Sequence, residues 1–461
     1  MTLVAGVDSS TQSVKIVIRE AETGLLVREG RASHPDGTEV DPAHWWSALQ
    51  KAIAEAGGLE DVAALSIGGQ QHGMVALDVE GNVIRPALLW NDTRSAKEAH
   101  DINNEIPNIA ELTGSSLVAS FTASKVRWLV DHEVENAKKV AAICLPHDWL
   151  SWKLSGSTSI KEIFTDRSDA SGTGYFNPVT SSYLPDVFKK VLRSDQTVEL
   201  PRIISHRDFG ATTKSGLRIG AGAGDNAGAG FGIQAQEGDV VVSLGTSGTA
   251  FAISSTSTHD SSGTIAGFAS ASGEFLPLVC TLNAARILDA ASKILGVTHE
   301  RLGELALSAP AGANGLTLLP YFEGERTPNR PEATGVLAGI TVANSTPENI
   351  ARAYIEGMLC GLADAVDALE KAGVNIRRVF LVGGAAKNPA VSQIASSLFA
   401  REVLVPPPGE YVANGAARQA AWALSGKENP PEWNLGEVTS AKAEPTPEVL
   451  VRYRALRDRT A

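Results

Sequence analysis

The sequence contains the same order of predicted elements twice, and this duplication most strongly limits the fold. In the first copy, the apolar stretches LVAGV at 3–7 and VKIVIRE at 14–20 flank a loop of small hydroxyl residues, SSTQS. A helix predicted over 41–57 follows, and then a strand at 62–69 that ends in two glycines. Alternating apolar residues predict the strands, and Asp-Pro before a helix-length apolar pattern predicts the helix start.

The second copy begins with DVVVSLGTSGTAFAIS at 239–254, which again predicts a strand, a hydroxyl loop and a strand. A helix is predicted over 346–373, and RRVFLVGG then predicts a strand that ends at Gly383 and Gly384. The intervals between matching elements differ, and alternating β and α elements can produce such an echo by chance. We nevertheless expect an α/β protein with two related domains.

The chain length also favours two domains, because 461 residues exceed the size at which a single core usually stops growing. We expect a first domain over 1–235 and a second over 236–425. The remaining tail, 426–461, is polar and contains prolines until a final helix near 447–458.

The net charge of −12 argues against nucleic acid or an anionic membrane surface as the main partner. It does not exclude a small anionic ligand, which backbone N–H groups can bind inside an acidic protein. The sequence has neither a leader-like start nor an apolar run of membrane-spanning length. Cys144, Cys280 and Cys360 are far apart in apolar contexts, which predicts buried thiols in a reducing compartment and a cytoplasmic location.

The two hydroxyl loops are candidate phosphate-binding sites. A tight loop of Gly, Ser and Thr presents several N–H groups and hydroxyls to one point, as phosphate oxygens require. A single such loop is more typical of a plain turn, but two of them, one preceded by Asp8, favour phosphate. A carboxylate at a strand end beside a polyphosphate is suited to Mg²⁺. The sequence has no GxxxxGK[ST] stretch, which excludes a P-loop enzyme.

Asp225 lies within GAGAGDNAGAGFG at 220–232, a stretch almost without side chains. Glycines let backbone and ligand approach closely, so this carboxylate could accept the proton of a hydroxyl that attacks phosphorus. Equally, it could cap a helix that starts at Asn226, and both roles are compatible. GAGDNA also fits the GxGxxA dinucleotide fingerprint of dehydrogenases, but the required apolar strand does not precede it.

These residues belong to a longer series of motifs that resembles the FGGY family of carbohydrate kinases. The stretches SFTASKVRWLVDH at 120–132 and GVLAGITVANSTPENIARAYIEG at 335–357 are similar to the two signatures of that family. The match extends in family order to about residue 420, and its motifs are Asp8 with SSTQS, GQQHG at 69–73, LWNDTR at 89–94, GDNAGA at 224–229, SLGTSG at 243–248, GERTP at 324–328 and VGGAAKN at 382–388.

The resemblance implies the actin-like ATPase fold, with two ribonuclease-H-like domains and a cleft between them. It implies ATP-dependent phosphorylation of a ketopentose, D-xylulose, at its terminal hydroxyl, with Mg²⁺ as cofactor. Ribulose, glycerol and gluconate are alternative acceptors, and a non-catalytic actin-like nucleotide-binding protein is an alternative of another class. The expected partners are the sugar and ATP, with no nucleic acid or membrane, and the oligomeric state, a homodimer included, stays open.

The resemblance also implies roles for individual residues. Asp225 takes the position of the catalytic base, and Asp8 that of the acid beside Mg²⁺ and phosphate. The sugar contacts are Gln71 and His72. The positions that bind ATP are Thr11, Ser13, Thr246, Ser247, Gly384, Ala385 and Asn388.

Several neighbouring residues have two interpretations. Trp90, Asn91, Asp92 and Arg94 either touch the sugar or shape the pocket through an internal Asp92–Arg94 interaction. Arg326 is either structural or at a pocket rim. We expect Trp45 and Trp46 to pack within the protein.

Overall fold

The computed structural model describes residues 1–434 and 436–460, so the expected tail 426–461 includes two positions, 435 and 461, outside the described residues. The strands in chain order are β1 (Leu3–Ser9), β2 (Ser13–Glu20), β3 (Leu26–Ser33), β4 (Glu39–Val40), β5 (Val62–Gly69), β6 (Val75–Leu77), β7 (Ala87–Leu88), β8 (Ala142–Cys144), β9 (Phe164–Thr165), β10 (Phe176–Asn177), β11 (Ser182–Tyr183), β12 (Arg202–Ile203), β13 (Phe209–Thr212), β14 (Arg218–Gly220), β15 (Ala223–Gly224), β16 (Asp239–Leu244), β17 (Gly248–Ala252), β18 (Ala266–Ala269), β19 (Phe275–Thr281), β20 (Thr317–Leu319), β21 (Val336–Ala338), β22 (Arg378–Val382), β23 (Val403–Val405) and β24 (Thr439–Ala441).

The helices in chain order are α1 (Pro42–Glu55), α2 (Ala96–Glu105), α3 (Ile109–Thr113), α4 (Thr122–His132), α5 (Val134–Ala137), α6 (Pro146–Ser155), α7 (Arg167–Ala170), α8 (Pro185–Leu192), α9 (Asp225–Gly232), α10 (Ala285–Leu295), α11 (His299–Ser308), α12 (Pro347–Lys371), α13 (Pro389–Phe399), α14 (Tyr411–Ser425) and α15 (Pro447–Arg459). Short 3₁₀ turns lie at Ile160–Glu162, Ala313–Gly315 and Gly384–Lys387.

The chain forms two compact units, each built from more than one segment. The first unit contains Met1–Ala235, Ser255–Leu276 and Glu410–Asn434. The second contains Gln236–Ser254, Pro277–Gly409 and residues 436–460. Each unit therefore completes its core with residues that are distant in sequence.

The sheet of the first unit has the strand order β13-β14-β5-β1-β2-β3, with β15 also paired to β5. Strands β1, β2 and β3 form an antiparallel meander, whereas β5 runs parallel to β1 and to β14. Because β5 is parallel to β1, their connection must cross over, and α1 provides this crossover.

Alternation along the strands separates two apolar cores. Val14, Ile16 and Ile18 face the core that α1 completes with Trp45 and Leu49, as their spacing predicts. On the opposite face, the sheet packs against α14 in a second core. The sheet contributes Val4, Val17 and Ala64, and α14 contributes Ala413, Ala417 and Ala420. The sheet is thus covered by one helix on each face, and the packing role expected for Trp45 is confirmed.

Six neighbouring strands of the second seven-stranded sheet repeat this plan in the order β19-β17-β16-β22-β23-β24. Strand β16 is antiparallel to β17 and parallel to β22, as β1 is to β2 and β5. Next along the sheet, β22 is parallel to β23, and the edge strand β24 is antiparallel to β23. The first sheet has the same arrangement, because β5 is parallel to β14 and the edge strand β13 is antiparallel to β14. The predicted duplication of one architecture is therefore confirmed at the level of strand order and direction.

The three cysteines form no disulfide bond among the described residues; Cys144 and Cys360 are buried, whereas Cys280 is only half-buried. Among the described residues, the structure has no helix with both the length and the apolar character needed to cross a bilayer.

Close backbone contact between two helices of the first unit depends on glycine. A Cβ on Gly415 of α14 would lie 1.9 Å from the carbonyl oxygen of Gly228 in α9. By contrast, a Cβ on Gly361, inside α12 of the second unit, would meet its nearest atom, the Tyr453 hydroxyl, at 3.6 Å. Only the first glycine is required by packing.

We therefore expect opposite effects from the same substitution at these two positions. Gly415→Ala should lower the free energy of unfolding by about 1–3 kcal/mol, because α9 and α14 must separate. Gly361→Ala should leave it unchanged or raise it by up to about 1 kcal/mol, because alanine favours the helix. Thermal unfolding of both variants measures this, and equal destabilisation would contradict the packing argument.

Candidate active site

The end of β5 brings two candidate catalytic acids to the same edge of the sheet. Strand β1 pairs with β5 on one side, with Asp8 opposite Gly68. Strand β15 also pairs with this end of β5, with Gly224 opposite Gly69. Asp225 follows Gly224 directly, so the structure brings Asp8 and Asp225 together within the first unit.

Asp225 is the first residue of α9, one position earlier than the sequence predicts, and Gly224 occupies the N-cap position. Its Oδ1 accepts hydrogen bonds from the backbone N–H of Asn226 at 2.7 Å and from the Asn226 side-chain amide at 2.9 Å. Both hydrogen bonds that Asp225 accepts from other described residues fall on Oδ1, so Oδ2 is the oxygen available to a bound hydroxyl. The structural and chemical interpretations of this residue are therefore compatible.

Burial disfavours the ionised form of both acids. Burial raises the pKa of Asp225 to about 6, although its hydrogen bonds with Asn226 oppose the shift. Burial likewise raises the pKa of Asp8 to about 6, and the negative charges of Asp225 and Glu410 add to it. The Ser10 hydroxyl, which donates to Asp8 Oδ1 at 2.7 Å, and the Lys15 ammonium lower the pKa of Asp8.

The donor set around Asp8 fits a divalent cation. Asp8 offers carboxylate oxygens in a region where neighbouring acids leave excess negative charge. Mg²⁺ prefers one or two carboxylates together with water and phosphate oxygens. A cation at this position would offset the burial of the Asp8 carboxylate, which is the main cause of its raised pKa, and the smaller repulsion from Asp225 and Glu410.

The predicted sugar contacts, Gln71 and His72, follow β5 directly. Gln71 is buried, and its Nε2 donates to the backbone oxygen of Ser168 at 3.2 Å. A Cβ on Gly224 would lie 2.6 Å from Gln71 Nε2, so glycine is required where these two residues meet. The structure thus brings Gln71 next to the residue that precedes Asp225.

His72 has a strained backbone and a defined ring orientation. Its φ of 69° is unusual for a residue with a Cβ and is typical of functional sites. His72 Nδ1 lies 2.7 Å from the carbonyl oxygen of Gly172, which accepts only, so Nδ1 carries the proton and Nε2 is the acceptor of a neutral ring. The ring packs against Phe121 and Phe268 at centroid distances of 4.9 and 5.6 Å.

The first hydroxyl loop connects β1 to β2; Thr11 lies in this loop and Ser13 is the first residue of β2. Thr11 Oγ1 accepts a hydrogen bond from Trp90 Nε1 at 2.9 Å. Arg94 Nε donates to Asp92 Oδ1 at 2.8 Å, which is the internal interaction considered above. Trp90 therefore contacts the hydroxyl loop, and Asp92 and Arg94 bind each other.

The second unit presents the other predicted ATP-binding residues at one sheet edge. Thr246 and Ser247 lie in the turn between β16 and β17, and Gly384 and Ala385 begin the 3₁₀ turn after β22. Because Ser243 of β16 pairs with Val382 of the parallel β22, the two turns leave the sheet side by side. A Cβ on Gly384 would meet no atom within 4 Å, so this backbone faces open space.

Asn388 and Arg326 form hydrogen bonds with neighbouring groups of the protein. Asn388 Oδ1 accepts from the backbone N–H of Ala390 at the start of α13, and its Nδ2 donates to the backbone oxygen of His299 at 2.8 Å. Both ends of this side chain therefore have protein partners. Arg326 is half-buried, and its backbone N–H donates to Glu325 Oε1 at 2.7 Å.

Sequence analysis missed Ser168, which contacts two candidate site segments. Besides accepting from Gln71, Ser168 accepts from the backbone N–H of Gly224 through Oγ at 3.1 Å. A signal was available in TDRSDASGTG at 165–174, a dense run of acids, hydroxyls and glycines beginning at the end of a short strand. Sequence analysis also missed Asp166, Asp169 and the buried His147, because each lies outside the motifs considered above.

Comparisons with known proteins agree with this geometry. Residues 3–232 match the family model for the N-terminal domain of the FGGY family of carbohydrate kinases, and residues 240–424 match that for the C-terminal domain. The xylulose kinase of Streptomyces coelicolor is 40% identical over 443 residues, covering 92% of this chain and 89% of its own. The xylulose kinase of Escherichia coli is 32% identical over 441 residues, 90% and 89% of the two chains.

A solved structure is similar over nearly the whole chain. The crystal structure of xylulose kinase from Bifidobacterium adolescentis has a TM-score of 0.92 and 45% sequence identity, with 99% of both chains covered. These similarities confirm the predicted α/β fold of the actin-like ATPases, with its duplicated domains.

The raised pKa of Asp225 predicts a gain in stability when its charge is removed. Asp225→Asn keeps the acceptor for Asn226 but removes a desolvated charge, so at pH 7–8 it should raise the free energy of unfolding by about 1–3 kcal/mol. Because the folded pKa is about 6 and the ordinary value 3.8, the gain should be complete above pH 6 and vanish as the pH falls towards 4.

Thermal unfolding of wild type and variant across this pH range measures the effect. The exposed Asp36→Asn is the matched control and should not change stability with this pH dependence. A variant that is destabilised at pH 8 would contradict the desolvation argument.

Proposed function

The chain belongs to the FGGY family of carbohydrate kinases, and we propose that it transfers the γ-phosphoryl group of ATP to the terminal hydroxyl of D-xylulose. The product is D-xylulose 5-phosphate. The observation that carries the proposal is the pair of acids at the end of β5, where glycines remove the side chains around a carboxylate of raised pKa. The similarity to xylulose kinases over nine-tenths of the chain or more supports the choice of sugar.

We propose Asp225 as the general base. Phosphoryl transfer passes through a loose transition state, so alignment of the sugar hydroxyl matters more than early removal of its proton. Asn226 holds Asp225 Oδ1, which fixes the plane of the carboxylate and directs Oδ2 as the acceptor. A pKa near 6 keeps Asp225 ionised at neutral pH and leaves it more basic than an ordinary aspartate.

Sugar kinases of this family use ATP and a divalent metal, and we propose Mg²⁺ with Asp8 as its protein-side acid. When bound, Mg²⁺ neutralises charge on the phosphate oxygens during transfer. The proposed phosphate-contacting residues are Thr11, Ser13, Thr246 and Ser247. The open backbone at Gly384 and the adjoining Ala385 support a nucleotide-side role, whereas Asn388 would act by holding the start of α13.

Gln71 and His72 are the proposed sugar contacts. In a neutral ring, the Nδ1 proton of His72 bonded to Gly172 makes Nε2 the nitrogen that can accept from a sugar hydroxyl. Buried polar groups of this kind reject a substrate that lacks the matching hydroxyl, because they lose a partner without regaining water.

The remaining expectations follow from the same proposal. Sugar and ATP are the partners; the net charge of −12 speaks against nucleic acid. A cytoplasmic location is supported by the free cysteines and by the requirement for ATP. The dehydrogenase and non-catalytic alternatives gain no support, since the relatives named above are kinases.

Replacing the proposed base should abolish most turnover without loss of fold. Asp225→Asn should lower kcat with D-xylulose by about 10²–10⁴-fold, because the hydroxyl proton loses its acceptor. The Kd for ATP should stay within a few-fold of wild type. Asp36→Asn serves as the control with unchanged kcat, and a near-normal kcat for Asp225→Asn would remove Asp225 from the mechanism.

A panel of acceptors tests the choice of sugar. With Mg-ATP and ADP release as the measurement, kcat/KM for D-xylulose should exceed that for D-ribulose, glycerol and D-gluconate by about tenfold or more. The physical reason is the pair of the buried Gln71 and the half-buried His72, whose orientations are held by Ser168 and Gly172 and suit one pattern of sugar hydroxyls. Preference for another acceptor would overturn the substrate while leaving the kinase assignment intact.

A further inference from the structure

One histidine and three aspartates form a buried polar cluster in the first unit. His147 Nε2 lies 3.1 Å from Asp169 Oδ2 and 3.4 Å from both Asp148 Oδ1 and Asp166 Oδ1. His147 and Asp148 belong to the first turn of α6, whereas Asp166 precedes α7 and Asp169 lies within it. Each side chain is at most 2% exposed, so water does not screen these charges.

The cluster cannot keep three ionised carboxylates without a compensating charge or proton. Three carboxylates around one nitrogen in a dry region repel one another unless a cation lies between them or one of them is protonated. Burial lowers the pKa of His147, but Asp148, Asp169 and Asp166 together outweigh it and raise this pKa to about 10. Burial also raises the pKa of Asp169 well above its ordinary value, so a proton on Asp169 is the alternative to a second proton on the ring. The geometry favours the ring, because His147 Nε2 faces all three carboxylates, whereas a proton on Asp169 neutralises a single one.

The cluster holds the turn that contacts two proposed site residues. Asp166 accepts the backbone N–H of Ser168 through Oδ2 at 2.6 Å and that of Asp169 through Oδ1 at 3.0 Å. Ser168 in turn accepts from the backbone of Gly224 and from the side chain of Gln71. Ser168 thus contacts both Gly224, the residue before Asp225, and Gln71, a proposed sugar contact.

The His147 ring also packs directly against the loop that leads to Asp225. A Cβ on Gly222 would lie 2.9 Å from His147 Nδ1, and one on Gly69 would lie 3.0 Å from His147 Cβ. The ring therefore fills the space beside Gly222 and the end of β5. A change in the ring would shift the backbone segments that lead to Asp225 and to Gln71.

We propose that His147 is a buried imidazolium that binds the carboxylates of Asp148, Asp166 and Asp169, and that it thereby positions Gly224, Gln71 and Asp225 for phosphoryl transfer. His147 touches no substrate and is a positioning residue. The positioning role of His147 rests on the proposed function, whereas the charge of its ring does not.

A bound divalent cation is the competing source of positive charge. The donor atoms of His147, Asp148 and Asp169 lie within 4.8 Å of one another, and nitrogen with carboxylate oxygens is a donor set that such ions accept. The imidazolium is favoured because it also accounts for Asp166, whose Oδ1 lies 3.4 Å from His147 Nε2 although Asp166 is not one of these three donor residues. Asp148 Oδ2 accepts from the N–H of Leu145 at 2.8 Å, and both Asp166 oxygens hold α7.

Nitrogen-15 NMR of histidine-labelled full-length protein tests the charge without reference to catalysis. At about pH 8, where an ordinary histidine is neutral, one ring should have protons on both nitrogens, and its signals should vanish in His147→Gln. Elemental analysis of wild type and His147→Gln should find the same metal content, because a metal held at Asp8 does not depend on His147. A neutral ring at that pH, or a stoichiometric metal ion that is present in wild type and lost in His147→Gln, would overturn the imidazolium.

Kinetics of matched variants test the positioning role. His147→Gln should lower kcat by about 10²-fold and raise the KM for D-xylulose while leaving the KM for ATP unchanged, because only the sugar side is misaligned. His147→Lys keeps a positive charge and should restore at least a tenth of the lost kcat. The exposed His44→Gln is the control and should match wild type.

Two outcomes would overturn the positioning role. One is wild-type kinetics in His147→Gln. The other is a folded His147→Lys that is as impaired as His147→Gln. A wild-type protein inactive on every sugar would overturn the proposed function and this positioning role with it, but the NMR measurement would still decide the state of His147, so the failures are distinguishable.

Discussion

The pairing of two strands at the glycine end of β5 is the constraint on which the proposed site depends. Strand β1 brings Asp8 to this point, and β15 brings Asp225. The approach is close because side chains are absent; a Cβ on Gly68 would lie 2.7 Å from the Val412 side chain, and the positions of Gly69 and Gly224 are equally crowded. Glycines therefore do more than permit flexibility here, because they set the distance between strands that carry the acids.

The same packing explains the electrostatics of the site. A carboxylate next to bare backbone loses water, and for Asp8 the Ser10 hydroxyl and the Lys15 ammonium compensate only in part, so burial raises the pKa of Asp8 and of Asp225 to about 6. The fold tolerates this cost because other parts of the unit are tightly satisfied, such as the helix start held by Asp166. Two acids with raised pKa values beside a well-bonded turn are the arrangement expected at a binding or catalytic site.

Much of the fold could be predicted from local patterns. The helix start at Asp41 is confirmed by the hydrogen bond that its side chain accepts from Ala43, and the long helix predicted over 346–373 is observed at Pro347–Lys371. The internal Asp92–Arg94 interaction was also foreseen, since the two residues are close in sequence. In contrast, nothing in the sequence predicted that Phe268, from a segment inserted after β17, would pack against His72.

The sequence by itself determined the fold class, the duplication and the chemical groups offered to a ligand, because strand alternation, helix caps and glycine-rich turns are local signals. Only the tertiary structure decided which distant groups meet. It assigned α14 to the first unit, placed Ser168 between Gln71 and Gly224, and buried His147 among three aspartates. Such contacts depend on how layers pack across many residues, and packing of this kind leaves no periodic trace along the chain.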